Sequence, residues 1–102
     1  MATNAATFED AIARAGQARA AIDHIVSSVR SGERDLPAAF AVADEDSLIG
    51  RCFAVKVFEA VPGIGKVRAR RTMEALGVAE DIWLGDVDQK ARAAIVVAFG
   101  EA

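Results

Sequence analysis

Two glycines flank a single isoleucine in the segment Pro62-Gly63-Ile64-Gly65, and this segment constrains the fold more than any other. Glycine readily adopts backbone conformations with positive φ, so the chain can turn sharply here and expose its N–H groups. Pro62 ends the preceding helix, because proline lacks a backbone N–H and cannot continue a helix. Basic residues on a helical pattern follow from Lys66 onwards. The segment therefore predicts a tight hairpin between two helices.

The N-terminal part of the chain is predicted to form one amphipathic helix. Between Phe8 and Val29, apolar residues recur at steps of three and four, which is the spacing of one helical face. Thr7 followed by Asp10 resembles a capping box at its start, and Ser31-Gly32 marks its end. We expect the apolar face to pack in the core. The alternative is a dimerising coiled coil, which would make the protein a weak dimer rather than a monomer.

The rest of the chain is predicted to form shorter helices. Asp35 is the expected N-cap of a helix that carries Leu36 and Phe40 inward, and the acidic cluster Asp44-Glu45-Asp46 is interpreted as a turn that caps the next segment. Later helices are expected over residues 47–53, 55–61, 66–76 and 87–99. The fold prediction is therefore all-α, with an N-terminal helix over residues 1–34 and a second domain over residues 35–102.

Composition argues against a metalloprotein, a membrane protein and an enzyme. The single cysteine excludes an internal disulfide, and His24 has no second histidine or cysteine at ligand spacing, so no metal or cofactor is expected. No segment approaches the roughly 18 apolar residues that cross a membrane, and no signal peptide is recognisable. No nucleophile–base pairing is evident either. We expect a soluble, cytoplasmic, non-enzymatic protein.

The charge distribution indicates a polyanionic partner even though the formal net charge is −3. From Arg51 to Arg71 the chain carries six basic residues against one acid, a net charge of +5. The acids gather elsewhere, at residues 44–46 and from Glu80 to Asp88. Local polarity matters more than the sum when a polyanion docks on one face, so nucleic acid is the expected ligand.

The glycine segment also matches the G-h-G-x-x-x-A pattern of helix-hairpin-helix DNA-binding elements. Ile64 would fill the space between the two helices, and the small Ala69 would let them pack closely, with Met73 and Leu76 on the same inward face. Backbone amides in the turn would hold a phosphate. Four or five neutralised phosphates would give a log–log salt slope of roughly −4. The candidate DNA-contacting residues are Gly63, Ile64, Gly65, Lys66, Arg68, Arg70 and Arg71, with Arg51 and Lys56 reaching a neighbouring backbone.

From about Ser31 the sequence resembles the actinobacterial integration host factor family, most specifically between Val57 and Gly77. The resemblance implies a long N-terminal helix followed by a helix–two-turns–helix domain akin to ribosomal protein S13. It implies a nucleoid-associated, architectural protein that binds duplex DNA largely without sequence preference. It also implies DNA bending or compaction and assistance to integrase-type recombination complexes.

Two departures from the family pattern indicate a divergent or phage-encoded member. The N-terminal helix is less basic than is usual in the family, and the second turn carries Asp86 and Asp88 where the family has a basic, glycine-containing turn. The DNA contact that the resemblance implies is therefore expected at the first hairpin and not at the second turn. Trp83, beside that turn, is expected in the core, and the alternative is that its ring stacks on a sugar or base. Two alternatives stay open: an RNA-binding S13-like module, and a protein-interaction module of a phage or recombination complex.

Overall fold

The computed structural model describes the backbone of residues 2–100 and the side chains of residues 11–100, and within these limits the protein is helical without a β-strand. The described residues form six α-helices, α1 (Ala2–Arg30), α2 (Leu36–Glu45), α3 (Ser47–Gly50), α4 (Ala54–Ala60), α5 (Gly65–Ala75) and α6 (Gln89–Gly100). A 3₁₀ helix at Leu84–Asp86 precedes α6. The all-α prediction is confirmed. The predicted start of α1 near Thr7 was wrong, because the helix already begins at Ala2; the capping-box side chains of Thr7 and Asp10 lie outside the described residues.

Only the C-terminal part of α1 packs against the other helices. Ile25 and Val29 are buried, whereas Ile12 is 58% exposed. The expectation that the whole apolar face packs in the core was therefore wrong for its N-terminal part. The side chain of Phe8 lies outside the described residues. The other helices cover only the end of α1, so the molecule is elongated, with extents of 57 × 27 × 24 Å. Dimerisation through the exposed part stays a prediction.

Helix α4 lies at the centre of the core. The Phe58 ring is fully buried and contacts Phe40 of α2 and Phe99 of α6 edge to face, with ring centroids 6.0 and 5.7 Å apart. Edge-to-face geometry suits aromatic rings because the positive edge of one meets the negative face of the other. Because α4 is held from two sides, the hairpin that follows it has a fixed starting point.

Aspartates begin three of the helices. The carboxylate of Asp35 accepts a hydrogen bond from the Ala38 N–H of α2 at 2.9 Å. Asp46 does the same for α3 through Leu48 N–H at 2.9 Å, and Asp88 for α6 through Ala91 N–H at 2.7 Å. Each bond satisfies a donor that has no intrahelical partner. The N-cap prediction for Asp35 is confirmed. The acidic cluster was interpreted as a capping turn, which is right only for Asp46, because α2 continues through Asp44 and Glu45.

Helix α5 ends earlier than the sequence pattern indicated. Its last residue is Ala75, and the chain turns at Gly77, where φ is +71°. Ala69 and Met73 are buried as expected, but Leu76 is 40% exposed, so its predicted place in the core was wrong. Leu76 is the C-cap of α5 and has left the helical face that Met73 follows.

The second turn packs backbone to backbone against the end of α3. A Cβ atom on Gly50 would lie 2.8 Å from the carbonyl oxygen of Ala43, and one on Gly85 would lie 3.1 Å from the Cα atom of Gly50. A side chain at Gly85 would force the second turn away from α3, and one at Gly50 would force α3 away from the Ala43 carbonyl of α2. This close contact fixes the 3₁₀ helix next to α3.

Candidate nucleic-acid interface

The α4–α5 turn has the backbone geometry of an anion-binding concavity. Gly63 and Gly65 have φ angles of +82° and +71°, and Ile64 between them is right-handed, with φ −92° and ψ −62°. Alternation of left- and right-handed residues points successive N–H groups towards one side, as in phosphate-binding nests. No side chain caps the start of α5. The first N–H groups of this helix therefore face solvent with the positive end of the helix dipole behind them.

The same turn is anchored from below by its one large apolar residue. Ile64 is only 7% exposed and lies in the core, and the fully buried Ala69 one turn further on leaves room for α4 against α5. The side chain of Ile64 therefore supports the turn, and its N–H donates to the Val61 carbonyl at 3.1 Å, so the free amides of the turn are those that follow Ile64. Gly63 and Gly65 are exposed, and the space where a Cβ atom would stand is open at both.

Two of the four basic residues on α5 are available to a ligand. Lys66 and Arg71 are exposed, and no carboxylate of the described residues lies within 4.0 Å of either one. Val67 lies beside them and is 65% exposed. The sequence analysis did not predict Val67 as part of this surface. The only sequence signal for it is that Val67 precedes Arg71 by four residues, a spacing that places both side chains on one side of the helix.

The other two basic residues of α5 are held by contacts within the protein. The Nη2 atom of Arg68 donates a hydrogen bond to the carbonyl oxygen of Ala98 on α6 at 3.2 Å. Arg70 lies between two carboxylates, with Nη2 3.3 Å from Glu59 and Nε 3.5 Å from Glu80. The four neighbouring charges in the sequence thus separate into an exposed pair and an engaged pair.

The two upstream candidates do not share the turn. Lys56 is exposed on α4, and Arg51 lies beyond the start of that helix with its guanidinium 6.0 Å from the centre of the Trp83 ring. The seven residues of α4 span about 10 Å, so Arg51 lies roughly that far or further from the glycine turn. Any contact that Arg51 makes with a polyanion therefore falls on a different part of the ligand.

The second turn differs in both charge and exposure from the first. Asp88 is engaged as the N-cap of α6, and Asp86 is exposed. Trp83 is 43% exposed, so the expectation that it lies in the core was wrong. An isolated antiparallel bridge to Phe53 holds Trp83 at the surface. This turn presents carboxylates and an aromatic ring. The negative charge of the carboxylates would repel a phosphate.

Within the described residues, no three His, Cys, Asp or Glu side chains come together as a metal site. No helix there has the length and apolar character that crossing a membrane requires.

A small all-α fold in which a glycine turn joins two packed helices and leaves a helix N-terminus open defines a helix–two-turns–helix protein. The chain belongs to the S13-like H2TH domain family, which matches residues 29–99. This finding and the relatives below confirm the resemblance to integration host factors.

Two curated relatives carry the name integration host factor. The protein from Mycobacterium tuberculosis is 28% identical over 92 residues, which cover 90% of this chain and 88% of the relative. The protein from Streptomyces coelicolor is 30% identical over 70 residues, which cover 69% of this chain and 65% of the relative. A solved structure of sIHF bound to an 8-bp palindromic DNA has a similar fold, with a TM-score of 0.73 and 23% identity, over 86% of this chain and 94% of that one.

Proposed function

We propose that this protein is an architectural, nucleoid-associated protein that binds duplex DNA through the α4–α5 hairpin. The observation that carries the proposal is the uncapped start of α5 above a nest at Gly63-Ile64-Gly65, with Lys66 and Arg71 exposed beside it. Helix N-termini of this kind bind phosphate. The two relatives named integration host factor, and the similar fold of a protein solved with DNA, support the same ligand.

The hairpin would hold one strand by its phosphates. The amides of Gly65 and Lys66 would donate to one phosphate, and the side chains of Lys66 and Arg71 would neutralise its neighbours. Val67 would then lie against the sugar edge without a polar partner. Contacts of this kind set position and orientation but read no base, so binding would be largely independent of sequence, with any preference arising from DNA shape.

The remaining predicted contacts extend this proposal outward. Lys56 and Arg51 would reach a neighbouring stretch of backbone, and Arg68 and Arg70 would contribute only after leaving their internal partners. We propose a non-enzymatic role in the cytoplasm, at the nucleoid, in which DNA is bent or compacted and recombination complexes are assisted. Bending needs a second contact, for which the exposed part of α1 and the Arg51–Lys56 region are the candidates.

The proposal is tested by fluorescence anisotropy of a labelled duplex across a salt series. The test variant is Lys66→Glu/Arg71→Glu, and the matched control is Arg30→Glu/Lys90→Glu, which reverses two exposed charges on α1 and α6 rather than on the hairpin. We expect the test variant to lose about tenfold or more in affinity at about 100 mM salt and to flatten the log–log slope by roughly 2. The control should lose only the small affinity that follows from its net charge.

A structured RNA hairpin at the same salt concentration forms the second arm of this experiment. If the protein binds the RNA more tightly than the duplex, its ligand is RNA and not duplex DNA. Equal losses in the test and control variants, or no salt-dependent binding by the wild type, would overturn the hairpin as the nucleic-acid site.

A further inference from the structure

An exposed aromatic pair lies outside the α4–α5 hairpin, next to Arg51, which is one of the proposed outer DNA contacts. Phe53 is 45% exposed and Trp83 is 43% exposed, and the two residues face each other as an isolated antiparallel bridge. Ala54 N–H donates to the Ile82 carbonyl at 3.0 Å, and Leu84 N–H donates to the Cys52 carbonyl at 2.8 Å. The hydrogen bonds thus fall on either side of the pair, the arrangement in which facing side chains lie closest together on one face. The backbone thus holds Phe53 and Trp83 side by side.

Two carboxylates lie in the groove between the rings, and Arg51 and Arg70 lie on the adjoining surfaces. A shallow groove of about 430 Å³ is lined by Phe53, Asp81, Ile82, Trp83 and Asp86, and we call it the Phe53–Trp83 groove. Asp81 and Asp86 are exposed, and no basic side chain of the described residues lies within 4.0 Å of either. Half-exposed aromatic rings beside unpaired acids form a surface that suits a cation attached to an apolar stem.

The protein itself shows that one of these rings accepts a cation. The guanidinium of Arg51 lies 6.0 Å from the centre of the Trp83 ring, and the ring still remains 43% exposed. A second cation can therefore approach Trp83 from the groove side, where Asp81 and Asp86 would neutralise it. A DNA phosphate would meet the same two carboxylates and be repelled.

We propose that the Phe53–Trp83 groove is a docking site for a basic segment of a partner protein, which places an arginine or lysine side chain against the two rings. Charge complementarity selects this occupant over duplex DNA. The groove and the hairpin have opposite polarity, so one molecule could hold DNA and a basic protein segment together. The site uses none of the hairpin residues, and it stands whether or not the hairpin binds DNA.

Trp83 is the only tryptophan in the chain, so its fluorescence reports on this groove directly. The full chain is titrated with a capped hexa-arginine peptide, with hexaglutamate as the reversed-charge peptide, and amide shifts are followed by NMR. We expect a saturable change in Trp83 emission with hexa-arginine only, and shifts centred on residues 53 and 81–86.

Asp81→Asn/Asp86→Asn tests the acids while keeping their shape, and Phe53→Leu tests the ring. We expect each to weaken binding about fivefold or more. The matched control is Asp23→Asn/Glu74→Gln, which removes two exposed acids elsewhere and should weaken binding less than about twofold. Thermal unfolding checks that all variants fold alike.

Four results would overturn the proposal. The first is the absence of a saturable Trp83 response, and the second is equal weakening in the test and control doubles, which would reduce binding to net charge. The third is a Trp83 response to duplex DNA that strengthens in Asp81→Asn/Asp86→Asn, which would assign the groove to DNA. A concentration-dependent Trp83 response without any ligand would assign it to a second copy of the chain and overturn it equally.

Discussion

The guanidinium of Arg92 binds the carboxylate of Asp44 through two hydrogen bonds of 2.7 and 2.8 Å, 48 residues apart in the sequence. Arg92 is buried, lies over the Phe40 ring at 4.8 Å, and also donates to the carbonyl oxygens of Val87 at 2.7 Å and Gly85 at 3.2 Å. One side chain thus ties the second turn to α2. Buried carbonyls without a donor are costly, so this residue is a principal polar support of the fold.

Replacement of Arg92 by methionine should lower the free energy of unfolding by about 2–3 kcal/mol. Methionine keeps the apolar stem over Phe40 but leaves the Val87 and Gly85 carbonyls without their donor. Urea unfolding monitored by circular dichroism measures the change. Lys90→Met, at an exposed position two residues away, should stay within about 0.5 kcal/mol of the wild type. A loss below about 1 kcal/mol for Arg92→Met would contradict the supporting role.

Lowering the pH should remove the contribution of the Arg92–Asp44 pair to the stability of the fold. The hydrogen bonds from Arg92 lower the pKa of Asp44 below its ordinary value, so the folded protein holds this proton less tightly than the unfolded chain. A carboxyl group of this kind adds stability above its unfolded pKa and loses it as the pH falls through the lower, folded pKa. The wild type should therefore lose stability as the pH falls below about 4.

The variant Asp44→Asn isolates that contribution. It should be less stable than the wild type at pH 7, and the difference should shrink as the pH falls below about 4, because asparagine does not titrate. Thermal unfolding at a series of pH values measures it, with Asp23→Asn on α1 as the exposed control. A stability difference that stays constant down to pH 2 or so would show that the pair does not couple to acid unfolding.

Removing the two acids around Arg70 should strengthen DNA binding. Glu59 and Glu80 lie 3.3 and 3.5 Å from this guanidinium and neutralise it in the free protein. Arg70 is half exposed, so little stability depends on these pairs. In Glu59→Gln/Glu80→Gln the arginine can turn to a phosphate, and the salt slope should steepen by about 0.9.

The control for that variant is Glu33→Gln/Glu45→Gln, which removes two exposed acids that contact no basic residue among those described. This control raises the net charge by the same amount as Glu59→Gln/Glu80→Gln. It therefore measures the effect of net charge on DNA affinity without any change at Arg70. If both doubles gain the same affinity at equal slopes, Arg70 does not reach DNA. A wild-type slope near −2 would fit binding by Lys66 and Arg71, whereas the sequence alone predicted roughly −4.

Local sequence signals predicted the parts of this structure that depend on neighbouring residues. The aspartate caps, the stop at Pro62, the glycine hairpin and the burial of Ile64 all follow from spacings within a few residues. What the sequence could not show are the partners of its charges. Arg68 binds a carbonyl 30 residues away, and Arg92 a carboxylate 48 residues away. Such partners are known only once the helices are packed.

Two other residues, Ile12 and Trp83, are more exposed than the sequence predicted, again because their surroundings depend on how the helices pack. Ile12 continues the apolar spacing of α1, but no helix of the domain reaches it, and periodicity alone does not say where a partner surface ends. Trp83 was expected in the core because large aromatic residues bury well, yet a two-bond backbone bridge to Phe53 holds it outside. Both residues are exposed for reasons that lie in other segments of the chain.

Replacement of Gly65 by alanine should impair DNA binding beyond its effect on stability. Gly65 has a φ of +71°, so alanine there costs about 1–2 kcal/mol in backbone strain. No heavy atom beyond its chain neighbours and the backbone of α5 lies within 4 Å of the added Cβ, so the protein can accommodate it. The methyl group would stand in the open space where a phosphate approaches the amides of α5. Loss of a hydrogen bond to a charged group corresponds to roughly tenfold or more in affinity.

Gly32 supplies the matched control for this test. Its φ is +81° and its Cβ position is equally open, but it lies in the turn after α1 and outside the hairpin. Gly32→Ala should therefore show a similar fall in stability, measured by urea unfolding, and an unchanged affinity for duplex DNA in the anisotropy assay. Because the two variants share the same strain, an affinity loss confined to Gly65→Ala reports the blocked amides. Equal affinities for both variants would mean that the phosphate is held by side chains alone.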